Sequence, residues 1–309
     1  MRTQRLGSAG PELTVIGFGA WEAGGAQWGT PRPEDEVVAA IRAVLDTEIN
    51  WIDTAEVYGN GRSEELVARA IAGHRDELLL ASKVAPAPEG SGFRAADVRR
   101  ACEASLRRLG TDRIDLYQLH WPDEDIPVEE PWGAMAALVD DGLVRSIGVS
   151  NFDRALIERC AAIRHVDSLQ QEFNMVQRDD AELLRWCGEI GTGVVTYGPL
   201  AYGLLTGTID LTTTFGADDH RSRPDSPLAP DRRPRGLAVV DAMRPIAERL
   251  GCTVAQLALA WNHRQPGVTS AIAGSTDARH VAANAAAGAI DLDAATLADL
   301  DRAARLADG

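Results

Sequence analysis

Three observations predict an α/β fold of the (β/α)8 TIM-barrel class, with one domain over residues 1–309. Short apolar runs ending in a polar residue alternate with amphipathic helical stretches, and this unit recurs eight times. Such alternation requires parallel strands joined by right-handed crossovers. Each unit takes roughly 30 to 40 residues, so eight of them fill the chain as a closed barrel would. A doubly wound open sheet is the competing architecture.

The elements follow in order. "TQRLGSAGPELTV" (3–15) reads as a β-hairpin that would plug the N-terminal end of the barrel. Strand 1, "TVIGFGA" (14–20), leads to a helix at 33–48, and strand 2, "WIDTA" (51–55), to one at 63–73. Ser63 before Glu64 and Glu65 suits a cap followed by negative charge at a helix N-terminus. Strand 3, "ELLLASK" (77–83), precedes a helix at 95–110, and strand 4, "RIDLYQLH" (113–120), one at 128–142. Strand 5, "VRSIGVS" (144–150), precedes a helix at 153–163. Strand 6, "VDSLQQE" (166–172), precedes one at 179–190, where Asp179 and Glu182 have capping-box spacing. Strand 7, "GVVTYG" (193–198), is followed by helices at 237–251 and 253–265, the latter with a Thr253/Gln256 box. Strand 8, "TSAIAG" (269–274), leads to a helix at 277–288, the last element read. Residues 206–236, rich in Pro, Asp and Arg, lack helical periodicity and follow strand 7, so they read as a lid loop over the C-terminal face.

Composition narrows the function. A net charge of −15 argues against nucleic acid or an acidic membrane surface as partner. No run approaches the roughly 18 apolar residues that cross a bilayer, and the N-terminus lacks a signal-peptide core. Cys102, Cys160, Cys187 and Cys252 are scattered, without metal-ligand spacing, and read as free thiols of a reducing, cytoplasmic compartment. The expectation is no metal.

Barrel chemistry sits at the C-terminal ends of the strands. Here those ends carry Asp53, Lys83, His120, Ser150, Asn151, Gln170, Glu172 and Tyr197, and Tyr58 lies in the glycine-rich loop after strand 2. Each residue alone has an ordinary structural explanation. A closed barrel, however, would bring the ends of strands 2, 3 and 4 together. A free phenol titrates near 10, too high for easy proton transfer at neutrality. An adjacent ammonium, kept charged by a carboxylate, would lower that value. Asp53, Lys83 and Tyr58 therefore read as a relay tuning one phenol, and a neutral His120 as a hydrogen-bond donor to an oxygen gaining charge. The set suits protonation of a carbonyl oxygen while a cofactor delivers hydride. "GFGAWE" (17–22) is not a Rossmann fingerprint. Ser150, Asn151 and Gln170 could bind a carboxamide, Tyr197 could stack, and "GPLAYGLLTG" (198–207) could admit phosphate. Gly274, Ser275 and Thr276 stand at the start of the last helix read, an anion site.

The motifs "WIDTAEVYGNGRSEE", "IDLYQLHWPD", "VRSIGVSNF", "LQQEFNMVQR", "TYGPLAYGLLTG" and "AGSTDARHVAAN" together resemble the aldo-keto reductases, in order and spacing, over roughly residues 3–290. The long loop resembles the branch related to potassium-channel β subunits. The resemblance implies NADP(H) as cofactor, without excluding NAD(H), and a small carbonyl or alcohol substrate. It implies Asp53, Tyr58, Lys83 and His120 as catalytic residues. It implies cofactor contacts from Gly19, Ser150, Asn151, Gln170, Tyr197, Gly198, Leu200, Gly203, Gly274, Ser275, Thr276, Arg279, His280 and Asn284. Thr276 stands where many relatives carry Arg or Lys for the 2′-phosphate, and His280 where they often have Gln; Arg279, Arg221 or Arg223 could substitute. Trp21, Trp28 and Trp121 are expected to line the substrate pocket. Two rival readings remain: a regulatory or redox-sensing subunit that holds NADP(H) with little turnover, and an aldolase using Lys83 as a Schiff base. Asp53 argues against the aldolase, because it favours a charged lysine. Substrate and oligomeric state are left open.

Overall fold

In the computed structural model, which describes residues 1–25 and 28–308, β1 (Thr3–Arg5) and β2 (Glu12–Thr14) pair as an antiparallel hairpin. The strands that follow are β3 (Ile16–Gly19), β4 (Trp51–Asp53), β5 (Leu79–Val84), β6 (Ile114–Leu119), β7 (Val144–Ser150), β8 (Ser168–Glu172), β9 (Gly193–Tyr197) and β10 (Val268–Gly274). They close in that order, every neighbouring pair parallel, with β10 returning to β3. Around them run α1 (Glu34–Arg42), α2 (Arg62–Ala70), α3 (Ala95–Leu109), α4 (Glu129–Asp140), α5 (Arg154–Ala161), α6 (Ala181–Glu189), α7 (Arg233–Leu250), α8 (Val254–Asn262), α9 (Ala278–Ala287) and α10 (Ala294–Ala304).

Strand side chains alternate between faces. One set, Ile52, Leu80, Tyr117, Val149, Leu169 and Val194, is buried in the shell under the helices. The other set points inward, where Trp51, Ala81, Leu116, Val195 and Ile272 pack with Leu6 and Leu13 of the hairpin. The hairpin thus closes the N-terminal end, as its sequence predicts. Trp51 reaches across the interior, its indole donating to Ser270 Oγ at 3.1 Å. It needs Gly17 to do so: a Cβ there would lie 2.1 Å from the indole ring. Above this apolar layer the interior turns polar, and that layer carries the site.

The structure corrects several local expectations. The α2 helix starts at Arg62, so Ser63 lies inside it and is no cap; its hydroxyl donates to Ala20 O at 2.6 Å instead. The Asp179/Glu182 box does not form, because α6 starts at Ala181 and Asp180 accepts from Gln171 Nε2 at 2.7 Å. The Thr253/Gln256 box forms in full. The α1 helix gives way after Arg42 to a 3₁₀ turn, Ala43–Asp46. The α7 helix begins at Arg233, with Pro234 in its first turn, so the irregular loop ends at 232 rather than 236. The expected last helix is not the last: α10 follows, capped by Asp293, which accepts from Thr296 N. Cys102, Cys160 and Cys187 are buried, Cys252 is partly buried, and all four are free thiols. Among the described residues no helix is long and apolar enough to cross a membrane.

Candidate active site

Asp53 is the last residue of β4, Lys83 lies near the end of β5, and His120 follows β6. Register sets Asp53 beside Ala81 and Lys83 beside Gln118, so the three side chains enter the mouth from adjacent strands. The Lys83 ammonium is fully buried and donates to Asp53 Oδ2 at 2.6 Å, Thr54 O at 3.0 Å and the Tyr58 hydroxyl at 3.1 Å. Those three bonds use all three of its N–H donors. The ring of His120 meets that of Tyr58 edge-on at 5.5 Å and the ring of Trp121 at 4.6 Å. The other oxygen of Asp53 accepts from Gln170 Nε2 at 2.9 Å, across the barrel from β8. The sequence suggests Gln170 only as a carboxamide ligand; its tie to Asp53 depends on barrel closure.

The loop carrying Tyr58 is pinned from both ends. Buried Glu56 accepts from Ala85 N at 3.0 Å, Ser91 N at 3.0 Å and Ser91 Oγ at 2.6 Å. Gly59 takes φ +62°, and a Cβ on it would lie 2.4 Å from Gly24 O, so only glycine fits. Glu64, buried at the start of α2, holds Arg108 at 2.6 Å and Ser82 Oγ at 2.5 Å. The phenol therefore sits on a loop with little freedom to move.

Burial is the largest influence on the charges. It pushes the Tyr58 phenol up, the Lys83 ammonium pulls it back, and the net direction is above the ordinary tyrosine value. The expected lowering by Lys83 is present but outweighed. Burial pulls Lys83 down, yet Asp53 and Tyr58 more than offset this, and the ammonium is held above its usual range. Burial and then Lys83 depress His120 well below the ordinary imidazole value, so it is neutral near pH 7. Its Nδ1 is buried without a hydrogen-bond partner among the described residues.

Around the other strand ends, Ser150 is buried and Asn151 adopts φ +61°. Asn151 Nδ2 donates to His120 O and Ser150 Oγ, each at 3.1 Å, and its Oδ1 accepts from Tyr197 OH at 2.8 Å. Gly198 and Gly203 both take positive φ, flanking Leu200, and between them Ala201 and Tyr202 do so too. That turn presents Tyr202 to Trp21 (6.4 Å), Trp28 (6.5 Å) and His220 (4.9 Å). Trp21 and Trp28 meet edge-on at 5.3 Å, while Trp121 lies apart from them against His120. The loop after strand 7 thus rests on the loop after strand 1, where Asp219 accepts from Gly29 N at 2.8 Å and Arg221 covers Trp28 at 4.5 Å.

Ser275, Thr276 and Asp277 lead into α9, with Ser275 Oγ 3.3 Å from His280 Nδ1 and Asn284 buried. The cations expected near a 2′-phosphate are each matched by an acid of their own loop. Arg279 is bound to both oxygens of Asp277, at 3.2 and 2.8 Å, Arg221 to both of Asp219, at 2.9 and 2.7 Å, and Arg223 lies 3.8 Å from Asp225. Two further acids stand at the mouth: Glu172, whose strand-end position the sequence shows without giving it a role, and Glu22. Burial raises Glu22 to about 7, against the pull of Arg221, and raises Glu172 to about 7, against a hydrogen bond from Tyr202. Glu22 carried no signal beyond its position two residues after a strand.

Comparison with known proteins gives concordant results. Residues 15–305 match the profile of the Aldo/keto reductase family. Aldo-keto reductase YhdN of Bacillus subtilis (strain 168) is 38% identical over 283 residues, covering 89% of this chain and 85% of that protein. Among solved structures, the glycerol dehydrogenase AKR11B4 from Gluconobacter oxydans superposes with a TM-score of 0.88 at 32% identity, over 98% of this chain and 95% of that one. An aldo/keto reductase from Klebsiella pneumoniae, in complex with NADP and acetate, gives 0.74 at 35% identity, over 97% and 95%.

Proposed function

The chain belongs to the aldo/keto reductase family, and on that premise we propose that it is an NADP(H)-dependent oxidoreductase interconverting aldehydes or ketones and alcohols, with Tyr58 as general acid and base. The observation that carries the reading is the Asp53–Lys83–Tyr58 chain of hydrogen bonds beside a neutral His120. When bound, the nicotinamide supplies or accepts a hydride. The residues here fit such a group. Tyr197 ends its strand partly exposed, and its hydroxyl donates to Asn151, itself partly exposed. Gly19 and Gly274 leave the seam between β3 and β10 bare, since a Cβ on Gly274 would lie 2.7 Å from Gly19 O. Ser150, Asn151 and Gln170 would hold the carboxamide, Tyr197 the ring face, and Gly198, Leu200, Gly203, Gly274, Ser275 and Thr276 the phosphates. Arg279, His280 and Asn284 would meet the adenosine end.

In reduction, the Tyr58 hydroxyl gives its proton to the carbonyl oxygen. The raised pKa keeps that proton in place at neutral pH, and the Lys83 ammonium stabilises the phenolate left behind. Asp53 holds Lys83 charged, and Gln170 holds Asp53. Neutral His120 donates to the same carbonyl oxygen, helped by a site that excludes water. Trp21, Trp28 and Tyr202 would form an aromatic wall for the substrate, with Trp121 apart from them beside His120. Oxidation runs the same proton path backwards.

The test is NADPH consumption with a panel of small aldehydes and ketones. Tyr58→Phe removes the proton and is expected to lower kcat by about 100-fold or more, with NADPH affinity within roughly twofold of wild type. Wild-type turnover in that variant would remove the role given to the phenol.

A further inference from the structure

Glu22 sits in the wrong place for an acid. It opens a single 3₁₀ turn, Glu22–Gly24, at the C-terminal face of the barrel. Gly24 is stacked on the Tyr58 loop, where a Cβ would lie 2.8 Å from Gly59 N. On its other side Glu22 leans over the ends of β3 and β10: its Oε2 lies 3.1 Å from the point a Cβ on Gly274 would occupy. Among the described residues its carboxyl has no hydrogen bond and no ion pair within 4.0 Å. Resting on the cofactor reading above, Gly274 is where a pyrophosphate would pass. A carboxylate facing a phosphate is repelled, since Arg221, the cation that acts on it, is already bound to both oxygens of Asp219; a carboxylic acid there donates a hydrogen bond.

We propose that Glu22 is a further cofactor-binding residue, whose protonated carboxyl donates to a phosphate oxygen of the nucleotide, so that nucleotide binding takes up one proton from solvent. The acid is already raised to about 7 by burial, with the Arg221 guanidinium opposing that shift. An arriving phosphate raises it further. The sign follows: a group whose pKa rises on binding strengthens binding below its free value and weakens it as pH climbs past that value. Other groups face the same space. The lid brings Arg221, Asp219 and His220, whose ring lies 5.2 Å from that of Trp21. The loop after β4 brings Tyr58, and the α9 end brings Asp277, Arg279 and His280. Protonation of His220 would have the same sign, and burial also raises Glu172, across the mouth, to about 7, so the assignment must be made by substitution.

The experiment measures NADPH binding by tryptophan fluorescence from pH 6 to 9, and by calorimetry at pH 7.5 in two buffers of different ionisation heat. Wild type is expected to lose affinity above pH 7, by up to about tenfold per unit, and to take up a substantial fraction of a proton at pH 7.5. Glu22→Gln, which keeps the shape and a hydrogen-bond donor, is expected to flatten the profile and abolish the uptake. Binding without proton uptake in wild type, or uptake that survives E22Q and disappears in E172Q, overturns the proposal while leaving the cofactor reading intact. No NADPH binding at any pH overturns both.

Discussion

The two halves of the barrel mouth solve the problem of burying charge in opposite ways. On the side of strands 2 to 4, Asp53, Lys83 and Tyr58 depend on one another, and every donor of the ammonium is spent inside the barrel. On the side of strands 1, 7 and 8, the arginines are paired within their own loops, Arg221 with Asp219 and Arg279 with Asp277. The first arrangement fixes geometry, because no member can move without leaving another unpaired in a dry site. The second leaves each ion pair intact within its loop, with the loops after strands 1 and 7 joined by Gly29 N and Asp219. Interdependent and locally paired charges are thereby kept on separate strands of one barrel.

Removing one member from the first side is expected to give the largest effect on stability. Asp53→Asn keeps the shape and the reach to Gln170 but leaves the fully buried Lys83 ammonium without its counter-charge. Breaking a buried pair from one side costs about 3 kcal/mol or more. Urea unfolding should show that loss as a lower midpoint at unchanged slope, with turnover falling as well. Asp219→Asn on the lid side leaves Arg221 only 20% exposed but stacked on Trp28 and Phe215, and is expected to cost about 1 kcal/mol. Equal losses would erase the contrast between the two sides.

That contrast was half legible in the sequence. The tetrad could be read because each member ends a strand or follows one in a glycine-rich loop, and a barrel has only one place for strand ends to meet. The hairpin plug was equally plain. What stayed hidden depends on closure or on capping that tertiary packing overrides. Gln170 reaches Asp53 only across the barrel, 117 positions along the chain. Ser63 is a residue type that caps helices, but Ala20 O, 43 positions earlier in the chain, offers its hydroxyl a buried acceptor. Tyr202 joins the tryptophans because Ala201 and Tyr202 adopt left-handed backbone, which their side chains do not announce. The direction of the Tyr58 shift is not legible, because the sequence shows the lysine and not the burial that outweighs it.

The pH behaviour sharpens the account of the catalytic side. The phenol must be protonated for reduction, and its pKa is held above the ordinary value, so reduction at saturating nucleotide should stay level from pH 6 to about 9. Oxidation needs the phenolate and should rise with pH over the same interval. His120 acts as a neutral donor and is depressed well below the usual imidazole range, so it should add no acid limb near pH 6.5. An acid limb at that position that vanishes in His120→Gln would mean the imidazole is solvated and charged, and that the site is less dry than its geometry indicates.

The smallest effect is expected at the far end of the binding side. Arg279 is 88% exposed and already bound to both oxygens of Asp277, which its guanidinium holds far below the usual carboxylate range. A 2′-phosphate would have to compete with that acid for a solvated cation, a contest worth less than about 1 kcal/mol. Arg279→Ala should therefore change the ratio of NADPH to NADH affinity by less than roughly fivefold, measured by titration of each nucleotide at fixed pH and ionic strength. Asp277→Asn, which frees the guanidinium while keeping an oxygen to cap α9, should move the ratio toward NADPH. A fall of tenfold or more in Arg279→Ala would show that the arginine abandons Asp277 for the phosphate, and that the ion pairs of this side exchange partners when nucleotide binds.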